Sequence, residues 1–270
     1  MFRLTLGEGY GRLSGEHGLT IGNLVQATVV VADGSILTAN ETENGDLFWA
    51  IRGGGCNFGV VTEFVFKLYE QRRTIYAGVL IYPPSLVNTL IQALNNWWQK
   101  GPSKKEGITL VLTCDSPPEC YPCAIIMLFY NGSEQGGRTV FKAFLDLSKS
   151  PRAGSQRSVL AKPDPEPLDQ TSEMPYENLN TLMNPNVYHD QSIYLKGVKF
   201  SMIQPDEACA ILGKVAEVTA DGSFRMISAF GFFPHERISS VPKDATAMHK
   251  RAFQKNVLTT CLGMQTRQRI

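Results

Sequence analysis

The chain lacks a bias of charge: 26 Lys and Arg stand against 25 Asp and Glu over 270 residues. No basic stripe interleaved with aromatics is present to neutralise a phosphate backbone, which argues against a nucleic-acid partner. No run of about 20 apolar residues is long enough to cross a bilayer. The start, Met1-Phe-Arg-Leu-Thr-Leu6, lacks the apolar core of a signal peptide, so neither export nor membrane anchoring is expected. Cysteine is sparse and unframed, at Cys56, Cys114, Cys120, Cys123, Cys209 and Cys261. Cys120-Tyr-Pro-Cys123 has zinc or redox spacing, but no second ligand pair follows at zinc-ribbon distance, so no metal is expected. Thiols, or a loop disulfide if the chain is secreted, are the expectation. The sequons Asn40-Glu-Thr42 and Asn131-Gly-Ser133 acquire meaning only in a secretory setting. A Walker-A Gly-Lys-Ser/Thr and a strand-GxGxxG-helix fingerprint are both missing, which disfavours P-loop and nicotinamide enzymes. Nor does any Ser-His-Asp or Cys-His order emerge.

What is present is ordinary globular material, 43% hydrophobic and 19% charged. The length suits one large domain or two modest ones. The first seventy residues are glycine-rich and strand-like. Leu24 to Val31, the turn Ala32-Asp-Gly-Ser35 and Ile36-Leu-Thr38 read as a hairpin. Asp46 is a candidate cap for a short helix through Ile51, and Asn57 to Lys67 alternates as a strand. Composition turns polar between Tyr69 and Thr74, which marks a domain crossing. Beyond it, strands are expected over 76–82, 108–113, 123–130, 191–200 and 224–233, with helices over 85–100, 136–147 and 205–218. Residues 148–185, polar and Pro-rich, read as a long loop with scraps of helix. The expected class is α+β, with residues 71–270 forming a mainly antiparallel sheet covered by helices.

Two glycine-rich segments carry the chemistry: Leu6-Gly-Glu-Gly-Tyr-Gly-Arg-Leu13 and Arg52-Gly-Gly-Gly-Cys-Asn-Phe-Gly-Val-Val-Thr62. Without a Cβ, the main chain can approach a ligand closely and offer its amides to a pyrophosphate. Taken alone, such segments are more often structural turns. Their order changes the reading, because the hairpin and Asp46-Leu-Phe-Trp-Ala-Ile-Arg52 lie between them. Over Gly7 to Leu68 the chain resembles the berberine-bridge-enzyme-like branch of the vanillyl-alcohol-oxidase/p-cresol-methylhydroxylase (PCMH) flavoproteins. Asp46 to Thr62 is the specific part, and the likeness beyond Tyr76 is looser.

That resemblance implies part of a PCMH-type FAD-binding domain over residues 1–70 and a substrate domain over 71–270. It implies FAD as cofactor, a small-molecule substrate (an alcohol, a sugar or an alkaloid-like compound) and molecular oxygen as reoxidant. Gly7, Gly9, Tyr10 and Gly11 would lie along the cofactor, and Cys56, Asn57, Gly59, Val60 and Val61 near its nucleotide half. In the family, flavin-attachment loops precede the first glycine segment and a Tyr-x-Asn-Tyr-like segment closes the flavin domain. Neither is found here, so a truncated, non-catalytic fragment that does not retain FAD is the alternative expectation. Three positions depart from the family pattern: Glu8 for glycine, Arg12 for an apolar or aromatic residue, and Gly22 for aspartate. A carboxylate about 4 Å from a phosphate would be repelled by about 4 kcal/mol at intermediate dielectric, unless Glu8 turns to solvent. On the strand 191–200, Ser192, Tyr194 and Lys196 share one face. Tyr194 and Lys196 are the candidate substrate contacts, a proton donor and a charge, against the plainer reading of a solvated sheet face. His189, His235 and His249 are candidate bases, though their polar, loop-like contexts read first as surface positions.

Overall fold

A computed structural model describes residues 2–114, 121–149, 165–186, 192–248 and 255–263. They divide into two compact units: Met1–Gln71 with Ser103–Lys105 and Phe233–Phe253, and Arg72–Pro102 with Glu106–Phe232 and Gln254–Ile270. Among the described residues, 233–248 fall in the first unit. Cys120, His189, His249 and the first residue of the expected strand 191–200 lie outside the described residues.

The first unit is built on three antiparallel strands, β1 (Leu24–Val30), β2 (Ile36–Asn40) and β3 (Val60–Phe66), in the order β2-β1-β3. The hairpin forms where β-branched residues meet a turn sequence. Ser35 N–H donates to Asp33 Oδ1 at 2.8 Å, Val31 N–H bonds Ser35 O at 3.0 Å, and Gly34 takes φ +87°. Alternation on β1 buries Ala27 and Val29, and a register irregularity between Leu24 and Gln26 brings buried Leu24 to the same core, against which Phe48 and Ile51 of α3 (Gly45–Ile51) pack. Asn44, not Asp46, occupies the cap position of α3, with φ 48° and ψ 48°. Asp46 sits within the first turn, where its negative charge favours the helix N-terminus and Oδ1 accepts Leu47 N–H.

Upstream of β1 the chain is helical rather than strand-like: α1 (Phe2–Gly7), α2 (Ser14–His17) and a 3-10 turn over Thr20–Asn23. Local capping competes with extension here. Gly11 N–H donates to Ser14 Oγ at 2.9 Å, and Ser14 N–H returns to Gly11 O at 3.0 Å. A short α8 (Glu236–Ser239) belongs to the same unit. The segment ahead of residue 249 is tied to α3 by Trp49 Nε1–H donating to Asp244 O at 2.7 Å and Arg52 Nη2 to Ala245 O at 3.1 Å.

The second unit is a seven-stranded sheet. Its strands are β4 (Thr74–Tyr82), β5 (Glu106–Cys114), β6 (Pro122–Tyr130), β7 (Leu168–Pro175), β8 (Ile193–Phe200), β9 (Phe224–Phe232) and β10 (Lys255–Gly263). They run in the order β7-β4-β6-β5-β9-β10-β8, with antiparallel pairing throughout. Helices α4 (Val87–Gln99), α6 (Lys142–Ser148) and α7 (Pro205–Thr219) cover one face. Leu90, Ile91 and Leu94 recur at helical spacing on α4 and meet Leu80, Leu110 and Ile126 of the sheet. Each such side chain contributes about 1.5–3 kcal/mol by leaving water. The fold is α+β, as the element pattern indicates.

Two expectations change. The helix over 136–147 is two helices, α5 (Glu134–Val140) and α6, which meet at Phe141. The loop over 148–185 contains β7, an edge strand whose sequence is mostly polar and largely exposed. Polar edge strands lack the two-residue alternation that would reveal them.

Candidate functional site

The two glycine-rich segments meet. Gly55 N–H, in the second, donates to Leu6 O at the end of α1 at 3.2 Å, and Leu6 is itself buried against Phe48 and Ile51. The first segment turns at Gly9, with φ +73°, and Gly9 O accepts both Thr20 N–H at 3.0 Å and Thr20 Oγ1–H at 2.8 Å. A Cβ on Gly9 would stand 2.2 Å from Thr20 Cβ, so this glycine is needed by the fold itself. Gly7, Gly11 and Gly55 differ, because a Cβ on any of them would meet nothing within 4 Å. Their backbone borders open space.

Tyr10 follows the turn and lies edge-on to Phe233, with centroids 5.8 Å apart, and tilted 6.0 Å from His235. Burial pushes its hydroxyl well above the ordinary tyrosine range, so it stays protonated. Sequence reasoning did not connect Phe233 and His235 to this loop, because they lie more than two hundred residues away in the chain. Glu8 is exposed.

In the second segment Cys56 and Asn57 are exposed, and Asn57 Nδ2–H donates to Gly54 O at 2.9 Å, bracing the turn. Gly59 takes φ +148°, and a Cβ there would come within 2.4 Å of Val30 O. Val60, 67% exposed, opens β3 opposite Val30, while Val61 packs toward the core of the unit. Seven of the nine expected cofactor positions thus lie at exposed or half-exposed points of backbone, with Gly9 buried and Val61 turned inward.

Tyr194 and Lys196 belong to the other unit, on the edge strand β8, and both are exposed. They share a face with Phe200, which packs edge-on against Phe230 and Phe232. Ile193 and Leu195, also exposed, point to the opposite face.

A cleft of about 500 Å³ in the first unit was not foreseen from the sequence. Its lining includes His17, Asn23, Glu41, Lys67, Tyr69 and Arg237. None of the sequence-derived candidates borders it. The His17 and Tyr69 rings stack at 4.0 Å. Burial holds His17 below the ordinary histidine value; Glu16 opposes this, and the positive charges of Lys104 and Arg237 reinforce it. Among the described residues, no group of three or more His, Cys, Asp or Glu is arranged to hold a metal ion, and no helix is long and apolar enough to cross a membrane.

The fold is that of the berberine-bridge-enzyme-like, PCMH-type flavoprotein oxidases. Glucooligosaccharide oxidase of Acremonium strictum superposes with a TM-score of 0.74 at 21% identity, covering 100% of this chain and 56% of the oxidase. Berberine bridge enzyme superposes at 0.70 with 16% identity, covering 97% and 50%. In sequence, an FAD-linked oxidoreductase of Dictyostelium discoideum is 30% identical over 238 residues, 81% of this chain and 48% of the relative. The FAD-linked oxidoreductase pgmH of Aspergillus terreus is 40% identical over 134 residues, 49% of this chain and 27% of the relative. No protein-family model matches. In sequence the chain is similar to FAD-linked oxidoreductases, and it spans about half the length of the Dictyostelium relative.

Proposed function

We propose that the chain is part of an FAD-dependent oxidoreductase in which the two glycine-rich segments hold the cofactor. The observation that carries this reading is the meeting of those segments at Leu6 and Gly55, with side-chain-free backbone at Gly7, Gly11 and Gly55 facing open space. Those positions fit a dinucleotide, since backbone N–H groups can approach phosphate oxygens only where no Cβ intervenes. Bound FAD would supply the hydride acceptor for oxidation of an alcohol, sugar or alkaloid-like small molecule, with molecular oxygen restoring it. Gly7, Gly9, Tyr10 and Gly11 would line the cofactor on one side, and Cys56, Asn57, Gly59, Val60 and Val61 on the other. The neutral, half-buried Tyr10 would offer a phenol that donates a hydrogen bond without bringing a negative charge to the site.

On this reading the first unit is the flavin-binding portion and the second the substrate domain. Tyr194 and Lys196, exposed on β8, would supply the polar substrate contacts, and Tyr194→Phe or Lys196→Met would alter KM. The substrate class rests on relatives: a glucooligosaccharide oxidase of Sarocladium strictum is 45% identical over 96 residues, 35% of this chain and 19% of the relative. The test is flavin uptake. The purified protein, with added FAD, should retain a yellow flavin spectrum through gel filtration, and Gly11→Val should lose it while staying folded. A folded protein that stays colourless with excess FAD would refute the proposal and favour a flavin-free module.

A further inference from the structure

We propose that the cleft of the first unit is a second ligand site, separate from the flavin positions, for a small molecule bearing a phosphate or carboxylate group. Its volume of about 500 Å³ lies within the range of small-molecule sites. None of the flavin positions is in its lining, although Gly9 bonds Thr20 next to Leu19 of the wall, and antiparallel register puts the cleft at the far end of the sheet from Val60. Leu24 pairs with Phe66 at the cleft end of β1, and Val30 with Val60 at the other. Seven residues of strand at about 3.4 Å each separate the two ends by about 20 Å.

The wall is braced before any ligand arrives. Asn23 Nδ2 donates to His17 O at 2.9 Å and to Leu19 O at 3.0 Å, while Asn23 Oδ1 accepts Tyr69 O–H at 2.8 Å. Lys67 N–H bonds Asn23 O at 2.8 Å, which fixes the Lys67 backbone against the same wall. His17 covers one part of the Tyr69 ring and Lys67 Nζ stands 5.2 Å from its centroid. The neutral polar groups are therefore engaged with one another. The charges are only partly so: Lys67 stands over the Tyr69 ring, but among the described residues neither Lys67 nor Arg237 makes an ion pair. Two cations on the lining of one small cleft suit an oxyanion. Glu41 on the same lining sets the limit of charge, since it repels a highly charged anion and leaves a mono- or dianion favoured.

Calorimetric titration of the intact chain with inorganic phosphate and, separately, with succinate distinguishes the two sources of negative charge. At low salt at least one probe should bind saturably, and affinity should fall as salt rises. Lys67→Ala and Arg237→Ala should each weaken binding about ten-fold, and Glu41→Gln should strengthen it. Both cations are exposed, so the variants should fold; should either alanine variant unfold, Lys67→Gln and Arg237→Gln replace them. The site is refuted by absence of saturable binding of either probe up to about 10 mM, or by binding that the double variant leaves unchanged. FAD uptake is measured on the same variants. Unchanged uptake supports a separate site, and loss of uptake together with anion binding overturns it. Failure of FAD to bind the unaltered chain touches only the flavin reading.

Discussion

Replacing Gly9 and Gly11 by alanine, one at a time, separates a glycine the fold requires from one whose Cβ would meet open space. At Gly9 an L-residue would take φ +73°, which costs about 1–2 kcal/mol in left-handed backbone. Its Cβ would lie 2.2 Å from Thr20 Cβ and 2.4 Å from Thr20 Oγ1. Thr20 cannot simply rotate away, because Cβ is fixed by the backbone and Oγ1 is bonded to Gly9 O. Overpacking of this kind adds about 1–3 kcal/mol. The total of about 2–5 kcal/mol is a large share of the about 5–15 kcal/mol that holds a domain together. Gly11→Ala meets nothing within 4 Å and has no positive φ to lose, so it should stay within about 0.5 kcal/mol of the original. Because two units need not unfold together, the readout is hydrogen exchange followed on β1 peptides across a urea series. Equal protection of β1 in the two variants would refute the reasoning.

Gly137→Ala places a Cβ 2.1 Å from Tyr76 Cδ1, whose ring is held by the 2.7 Å bond between its hydroxyl and Thr171 Oγ1, so the urea midpoint of the second unit should drop by the equivalent of about 1–3 kcal/mol. Tyr82→Phe leaves the buried Phe144 carbonyl without the hydroxyl it accepts from at 2.8 Å and should cost about 1–3 kcal/mol, measured by chemical denaturation. Burial raises both Tyr10 and Tyr82 above the ordinary tyrosine value of about 10, so the unfolded chain releases these protons first; stability should hold below about pH 10 and decline above it. Ultraviolet titration should find both phenols protonated until the alkaline unfolding transition. Glu106→Leu removes the carboxylate that accepts Trp97 Nε1–H at 3.0 Å, and thermal melting should register a loss of about 1–3 kcal/mol that Glu106→Gln largely restores.

Periodicity recovers an element when burial, rather than partner choice, sets its sequence. The strands β4, β5, β6 and β9 are mostly buried or half-buried and mostly apolar, and α4 repeats Leu90, Ile91 and Leu94 at helical spacing, so each is legible from residues alone. The edge strand β7 reads Leu-Asp-Gln-Thr-Ser-Glu-Met-Pro, with Thr171 its one buried residue. What makes it a strand is its pairing with β4 from Thr74 to Ile81, a non-local fact that no local pattern contains. The break at Phe141 has the same origin, because Gly137 closes on Tyr76 and orients the short helix before the chain continues.

At the site, the order of motifs located the glycine loops, but glycine content alone could not say which glycines serve the fold. Gly9 and Gly59 carry positive φ and press on Thr20 and Val30, while Gly7 and Gly11 do neither. That distinction depends on neighbours brought in by folding. The same holds for Tyr10, whose environment is made by Phe233 and His235, and for the cleft, where Lys67 and Arg237 are 170 residues apart in the chain. Charges so far apart form no motif; each reads singly as a solvated surface residue. Their convergence is a product of the fold, since Lys67 follows β3 directly and Arg237 lies on α8. A site built from the end of a strand and a helix distant in sequence is therefore detectable only once the three-dimensional arrangement is known, whatever the strength of the motifs around it.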